Sequence, residues 1–172
     1  MKIIEESFNF KNKLTKRKKT TEIVLHCSAT REGKDYTVQD IHKWHLKRGF
    51  SGIGYNYVIY RDGTIHEGRP EYAAGAHATN HNSISVGVCY IGGCDENNKA
   101  KDTRTVEQKE ALYQLVEYLM NKYSITDKGI LCHYQITVPR PNMKACPSFK
   151  REQFIDEFTK YRLSKLTNID NE

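Results

Sequence analysis

The chain predicts an α/β fold: a single domain in which a central mixed β-sheet is flanked by helices. Short β-branched and aliphatic runs alternate with helical segments along its length, the pattern that stacks helices on a sheet. Two of the helical segments open on capping-box-like sequences. At 172 residues the chain is long enough for one well-buried core.

The elements follow in order. Ile23, Val24 and Leu25 form a compact apolar run that ends at His26, which reads as an interior strand delivering a histidine at its C-terminal end. Thr37 and Asp40 resemble a capping box with Asp in place of Glu, while Val38, Ile41 and Trp44 supply a spaced apolar face and Gly49 a stop. Residues 55–60 have strand composition, and Arg61-Asp62-Gly63-Thr64 then supplies the turn of a hairpin returning through Ile65 to Glu67. A loop over 72–82 leads to another strand over 84–90. Gly92 and Gly93 with the polar stretch 95–98 make an excursion that lacks the alternation and closing glutamate of a calcium loop. Thr105 and Gln108 cap a long helix carrying Ala111, Leu112, Leu115, Val116, Leu119 and Met120 at helical spacing. Gly129 precedes a last strand, Ile130 to Cys132, that ends at His133, and Ser148 is expected to cap a final helix bearing Phe149, Phe154, Ile155 and Phe158.

Composition bounds the function. Hydrophobic residues make up 38% and charged residues 28% of the chain, and no run of 18 apolar residues could span a bilayer, so no membrane insertion is expected. The first residues carry only Ile3 and Ile4 before two glutamates, which is unlike a secretory signal, so synthesis in the cytoplasm without a signal peptide is expected. The net charge of +6 favours an anionic partner, and a cell-wall polymer, nucleic acid and acidic membrane all qualify. Lys11, Lys13, Lys16, Arg17, Lys18 and Lys19 concentrate part of that charge in an arm expected to be solvated or partly ordered, with a binding patch as the alternative. The expected organisation is therefore a basic arm over 1–20, a domain over 21–162 and a tail over 163–172. The five cysteines, odd in number and without a CxxC pair, fit a reducing environment. Cys27, Cys89 and Cys132 read as buried packing, and Cys94, after two glycines, as a loop residue open to exposure.

Seven histidines offer several pairings. His42 and His45 share a helix face without a metalloprotease pattern and read as packing or as partners for polar groups. His66 follows the hairpin turn and reads as a surface residue. His26 and His133 each end a strand, the position from which α/β sheets build sites, and Cys146 follows thirteen residues after His133. Two imidazoles and a thiolate leave a fourth position of a tetrahedral zinc open, the arrangement of catalytic rather than structural sites. Residues alone leave this reading beside separate structural roles for the three.

Several segments together are more specific. Leu25-His26-Cys27-Ser28-Ala29-Thr30, Gly54-Tyr55-Asn56-Tyr57 with Arg61-Asp62-Gly63-Thr64, His77 with His81-Asn82-Ser83-Ile84, and Lys144-Ala145-Cys146-Pro147-Ser148 occur in this order. With them the chain resembles the zinc-dependent N-acetylmuramoyl-L-alanine amidases. It is similar in particular to the bacteriophage lysozyme-amidases, relatives of the peptidoglycan recognition proteins, from about Glu22 to Phe158. The stretch 138–142 with its two prolines, the basic arm and the tail fall outside that likeness.

The resemblance implies zinc on His26, His133 and Cys146, a catalytic tyrosine at Tyr55, a catalytic lysine at Lys144, and substrate contacts from His77 and Asn82. It implies hydrolysis of the amide between N-acetylmuramic acid and L-alanine of the stem peptide, in phage or prophage lysis or in wall turnover. Members that bind peptidoglycan without cutting it typically lack the cysteine, so Cys146 points to an active enzyme. The alternatives are a non-catalytic peptidoglycan-binding module, or an amidase whose basic arm adds a regulatory contact with nucleic acid or a polymerase. A monomer acting on the cell wall after release, or on wall fragments in the cytoplasm, is expected.

Overall fold

The computed structural model describes residues 1–136 and 145–169. A six-stranded sheet runs in the order β1-β5-β4-β6-β2-β8, from β1 (Ile3–Ile4), β2 (Glu22–Cys27), β4 (Tyr57–Ile59), β5 (Ile65–Glu67), β6 (Ser85–Tyr90) and β8 (Ile130–Cys132). Two further short strands, β3 (Thr30–Arg31) and β7 (Gly93–Cys94), pair with each other. The helices are α1 (Val38–Lys47), α2 (Val106–Tyr123), the single turn α3 (His133–Ile136) and α4 (Arg151–Ile169). The sheet is mixed because the β4–β5 hairpin is antiparallel while β2 lies parallel to both β6 and β8.

β2 is the strand that the rest encloses. Neighbours on both sides satisfy its backbone, and five of its six residues are buried, as befits a parallel strand covered on two faces. Alternation then divides its side chains. Ile23, Leu25 and Cys27 join Val86, Val88 and Tyr90 of β6 and Tyr57 and Ile59 of β4 in the larger core, against Leu112, Leu115, Val116 and Leu119 of α2 and Phe154 and Phe158 of α4. Val58 and Cys89 face the other way and pack with Val38 and Ile41 of α1, and His26 and Gly87 share their parity.

Local signals explain most boundaries. Both capping boxes form in full: Thr37 with Asp40 opens α1, and Thr105 with Gln108 opens α2. In the hairpin, Gly63 takes φ of 85°, open to glycine, and Asp62 accepts from the Thr64 amide at 2.9 Å. Cys27, Cys89 and Cys132 are buried, and Asp95 closes a solvated turn by accepting from the amides of Asn97 and Lys99.

Other expectations are corrected. Residues 1–20 are no free arm: β1 extends the sheet beside β5, Lys16 bridges to Ala73, and Arg17 is buried. The guanidinium of Arg17 donates to the Ala73 carbonyl at 3.1 Å and to Thr20 Oγ1 at 2.8 Å, and lies over the Tyr123 ring. The lysines around it stay exposed, so the charge run is a solvated face on a packed segment. His66 is buried, stacked on Tyr60 and paired with Glu6 at 2.9 Å, because the N-terminal segment covers it. Cys94 is buried because β7 pairs with β3. The fourth strand begins at Tyr57, two residues later than its composition suggests, and α4 begins at Arg151. Ser148 precedes α4 in a left-handed turn, φ 70°, and donates to the Gly93 carbonyl in place of capping it. The expected tail is the end of α4, which runs to Ile169.

Replacing Arg17 with Ala should lower stability by about 1–3 kcal/mol, since it removes a donor to the buried Ala73 carbonyl, breaks the bond to Thr20 and uncovers Tyr123. Lys13→Ala on the same segment should be neutral within about 0.5 kcal/mol. Urea denaturation of both variants measures the difference; equal effects would mean that the segment is not docked in solution.

Candidate active site

Three separate elements deliver the two histidines and the cysteine. His26 stands at the C-terminal end of β2 and is 2% exposed. His133 follows β8, which is parallel to β2, so both imidazoles emerge at the same edge of the sheet. Cys146 is brought to them by its backbone, whose carbonyl accepts from the Tyr134 amide at 2.9 Å. The ligating atoms of His26, His133 and Cys146 all lie within 4.8 Å of one another, and the three could hold a metal ion.

The donor chemistry fits zinc. Tetrahedral bonds of about 2.0–2.3 Å imply ligand-to-ligand edges of roughly 3.3–3.8 Å, and Cys146 Sγ stands 3.9 Å from His26 Nδ1. Burial holds His133 down to about 4, and burial followed by the neighbouring imidazoles holds His26 well below the usual histidine range. Both rings are thus neutral near pH 7, with a lone pair to offer. The Cys27 amide donates to Cys146 Sγ at 3.3 Å, a contact suited to a thiolate. Without a metal, contact with the Cys27 thiol and burial push the Cys146 thiol up, so metal binding must displace its proton.

Tyr55 packs against this group, its ring centroid 5.1 Å from that of His26. Two neutral histidines on α1 hold the backbone that carries it. His42 Nδ1 accepts from the Ile53 amide at 3.0 Å, and His45 Nδ1 accepts from the Gly54 amide at 2.9 Å. Gly54 fits there for want of a side chain, since a Cβ would collide with the Ala76 carbonyl. Burial, above all, with help from Arg48, Arg69 and His42, lowers His45 to about 4.

The loop after β5 supplies His77 and Asn82. His77 Nδ1 lies 2.8 Å from His26 Nε2, and its Nε2 lies 3.3 Å from Ser85 Oγ. Asn82 Oδ1 accepts from the amides of His77 and Ala78, so it shapes the loop. Lys144 and the stretch 138–142 lie outside the described residues. Sequence reasoning missed Asn56, fully buried, whose side chain accepts from the Gly87 amide at 2.9 Å and donates to the carbonyls of Arg69, Pro70 and Ala73. An amide inside a strand-like aromatic run was the available signal, because a buried amide needs partners.

Residues 16–149 match the N-acetylmuramoyl-L-alanine amidase family. An endolysin of Klebsiella phage KP32 is 39% identical over 139 residues, which cover 81% of this chain and 87% of that relative. The chain belongs to the N-acetylmuramoyl-L-alanine amidase family. Among solved structures, the amidase LysC from Clostridium intestinale superposes with a TM-score of 0.77 at 32% identity, covering 92% of this chain and 98% of LysC. A peptidoglycan recognition protein, PGRP-LE, solved with tracheal cytotoxin, shares the fold at 22% identity and a TM-score of 0.67, covering 83% of this chain and 88% of its own. The amidase is therefore an enzyme of the family's activity class on an established scaffold. None of its helices, among the described residues, is long and apolar enough to cross a membrane.

The amidase should lose stability on acidification through His45. The group titrates near 6.5 when unfolded and near 4 when folded, so the unfolded state binds the extra proton between these values. The contribution is complete above about pH 6.5 and is lost as pH falls through about 4. His45→Ala should cost about 1–3 kcal/mol at neutral pH by stranding the Gly54 amide. It should also flatten the slope of stability against pH in that window by up to about 1.4 kcal/mol per unit. Urea titrations across pH test this; an unchanged slope in the variant would refute the assignment.

Proposed function

We propose that the chain is a zinc-dependent amidase of the phage endolysin type, hydrolysing the amide that joins the lactyl group of N-acetylmuramic acid to L-alanine of the stem peptide. The observation that carries this reading is the convergence of His26, His133 and Cys146 donor atoms within 4.8 Å, beside the Tyr55 ring. Three protein ligands leave a fourth position for water or substrate. Zinc, when bound, supplies a Lewis acid that polarises the scissile carbonyl and brings the pKa of water towards about 7. The Cys146 thiolate offsets part of that charge, and the Cys27 amide supports the thiolate.

Tyr55 is assigned the proton transfers. Burial raises its pKa well above the ordinary phenol value, so the hydroxyl keeps its proton near pH 7 and works as a donor. It orients the attacking water and takes up the proton that the water loses while giving its own to the departing amine nitrogen, so the phenol is restored. Lys144, two residues before Cys146 in sequence, is assigned the developing oxyanion, which an ammonium would stabilise electrostatically. Asn82 contributes by holding the His77 loop through its two amide contacts. Endolysin relatives and the tracheal-cytotoxin complex of PGRP-LE support peptidoglycan as the partner.

Metal analysis coupled to mass spectrometry of peptidoglycan digests tests both halves. The expected result is one zinc per chain and free stem peptides beginning with L-alanine, with activity lost to a chelator and recovered on adding zinc. Tyr55→Phe should lower kcat by about 10²-fold or more with zinc content intact, and Cys146→Ala should lose both. A fully zinc-loaded chain that releases no stem peptide from any wall type would sink the proposal.

A further inference from the structure

We infer that His77 is a positioning residue that sets the tautomer of His26 through a relay beginning at Ser85. This role rests on the zinc reading above and replaces the substrate contact that the resemblance suggested for His77. Ser85 Oγ lies 2.7 Å from the His81 carbonyl oxygen, which can only accept, so the hydroxyl proton is committed there. The same oxygen therefore accepts from His77, whose Nε2 stands 3.3 Å away and carries the proton. A neutral His77 then has its lone pair on Nδ1, 2.8 Å from Nε2 of His26. His26 donates from Nε2 and keeps its own lone pair on Nδ1, the nitrogen 3.9 Å from Cys146 Sγ. The opposite tautomer would turn an N–H towards the cysteine and leave that nitrogen unable to bind a metal.

The position of His77 is over-determined. Asn82 Oδ1 pins its backbone through the amides of His77 and Ala78, at 2.8 and 2.9 Å. Its ring fits a slot between two glycines: a Cβ on Gly87 would stand 2.5 Å from His77 Cδ2, and one on Gly75 would collide with the same atom. Neither glycine has positive φ, so what they provide here is room and not backbone freedom. Gly87 belongs to β6, in register with Val24 of β2, two residues before His26. Sheet register and loop thus deliver the His77 ring to one place, edge-on to His26 at 4.9 Å between centroids.

Zinc affinity, measured at neutral pH by competition with a chelating dye, separates this role from a merely structural one. His77→Ala should weaken zinc binding about 10- to 100-fold, and Ser85→Ala should weaken it less. His77→Asn should restore most of the loss, because its Oδ1 can take the place of Nδ1 as acceptor. Long-range proton–nitrogen spectra of the wild-type, zinc-loaded chain should show the proton on Nε2 of both His26 and His77. A folded His77→Ala that binds zinc as tightly as wild type overturns the relay, and so does a proton on Nδ1 of His77. That spectrum decides the matter even where His77→Ala does not fold. A wild type that binds no zinc overturns the zinc reading and the relay together, whereas a zinc-binding wild type with an insensitive His77→Ala sinks the relay alone.

Discussion

The parallel pairing of β2 between β6 and β8 is the constraint on which the rest depends. It satisfies the backbone of β2 on both edges and leaves its two faces to different tasks. Ile23, Leu25 and Cys27 belong to the larger core, and burial of aliphatic side chains contributes roughly 1.5–3 kcal/mol each. His26, of opposite parity, is carried to the other face at 2% exposure. An imidazole cannot stay charged so deep in a low-dielectric interior, and it cannot remain without partners. Those two requirements lead directly to the neighbours it has: His133 from the adjacent strand end, Cys146 from the segment before α4, and His77 from the loop before β6.

The same logic extends outward from the histidine. His77 needs Gly75 and Gly87 for space and Asn82 for its backbone. Tyr55 needs the Gly54 amide to be held, and His45 holds it from α1. Asn56 ties the start of β4 to β6 and to the loop carrying Ala73. The polar groups around the site are thus largely engaged with backbone amides and carbonyls of loops, which is how irregular segments are held to the accuracy that catalysis demands.

Much of this could be read from the chain because the governing interactions are local. Thr37 with Asp40 and Thr105 with Gln108 are reciprocal contacts spanning three residues, and each opens its helix where expected. The runs around Val24, Val86 and Ile130 became strands because their apolar density suits a doubly covered sheet. Failures occurred where a distant segment decided the outcome. His66 looked like a turn residue until Glu6, sixty positions earlier, paired with it. Arg17 looked like one charge in a run, yet Ala73 and Tyr123 make it the buried member among exposed lysines.

By itself, the sequence determined element types, the strand-end placement of His26 and His133, and, through several ordered motifs, the amidase family. These are properties of short windows, where periodicity, caps and residue chemistry act between near neighbours. Tertiary structure alone decided which nitrogen of His26 faces Cys146, that Asn82 braces a loop, and that His45 supports Tyr55. Hydrogen-bond direction depends on partners supplied by elements far apart in the chain, and no local pattern encodes the distance between them.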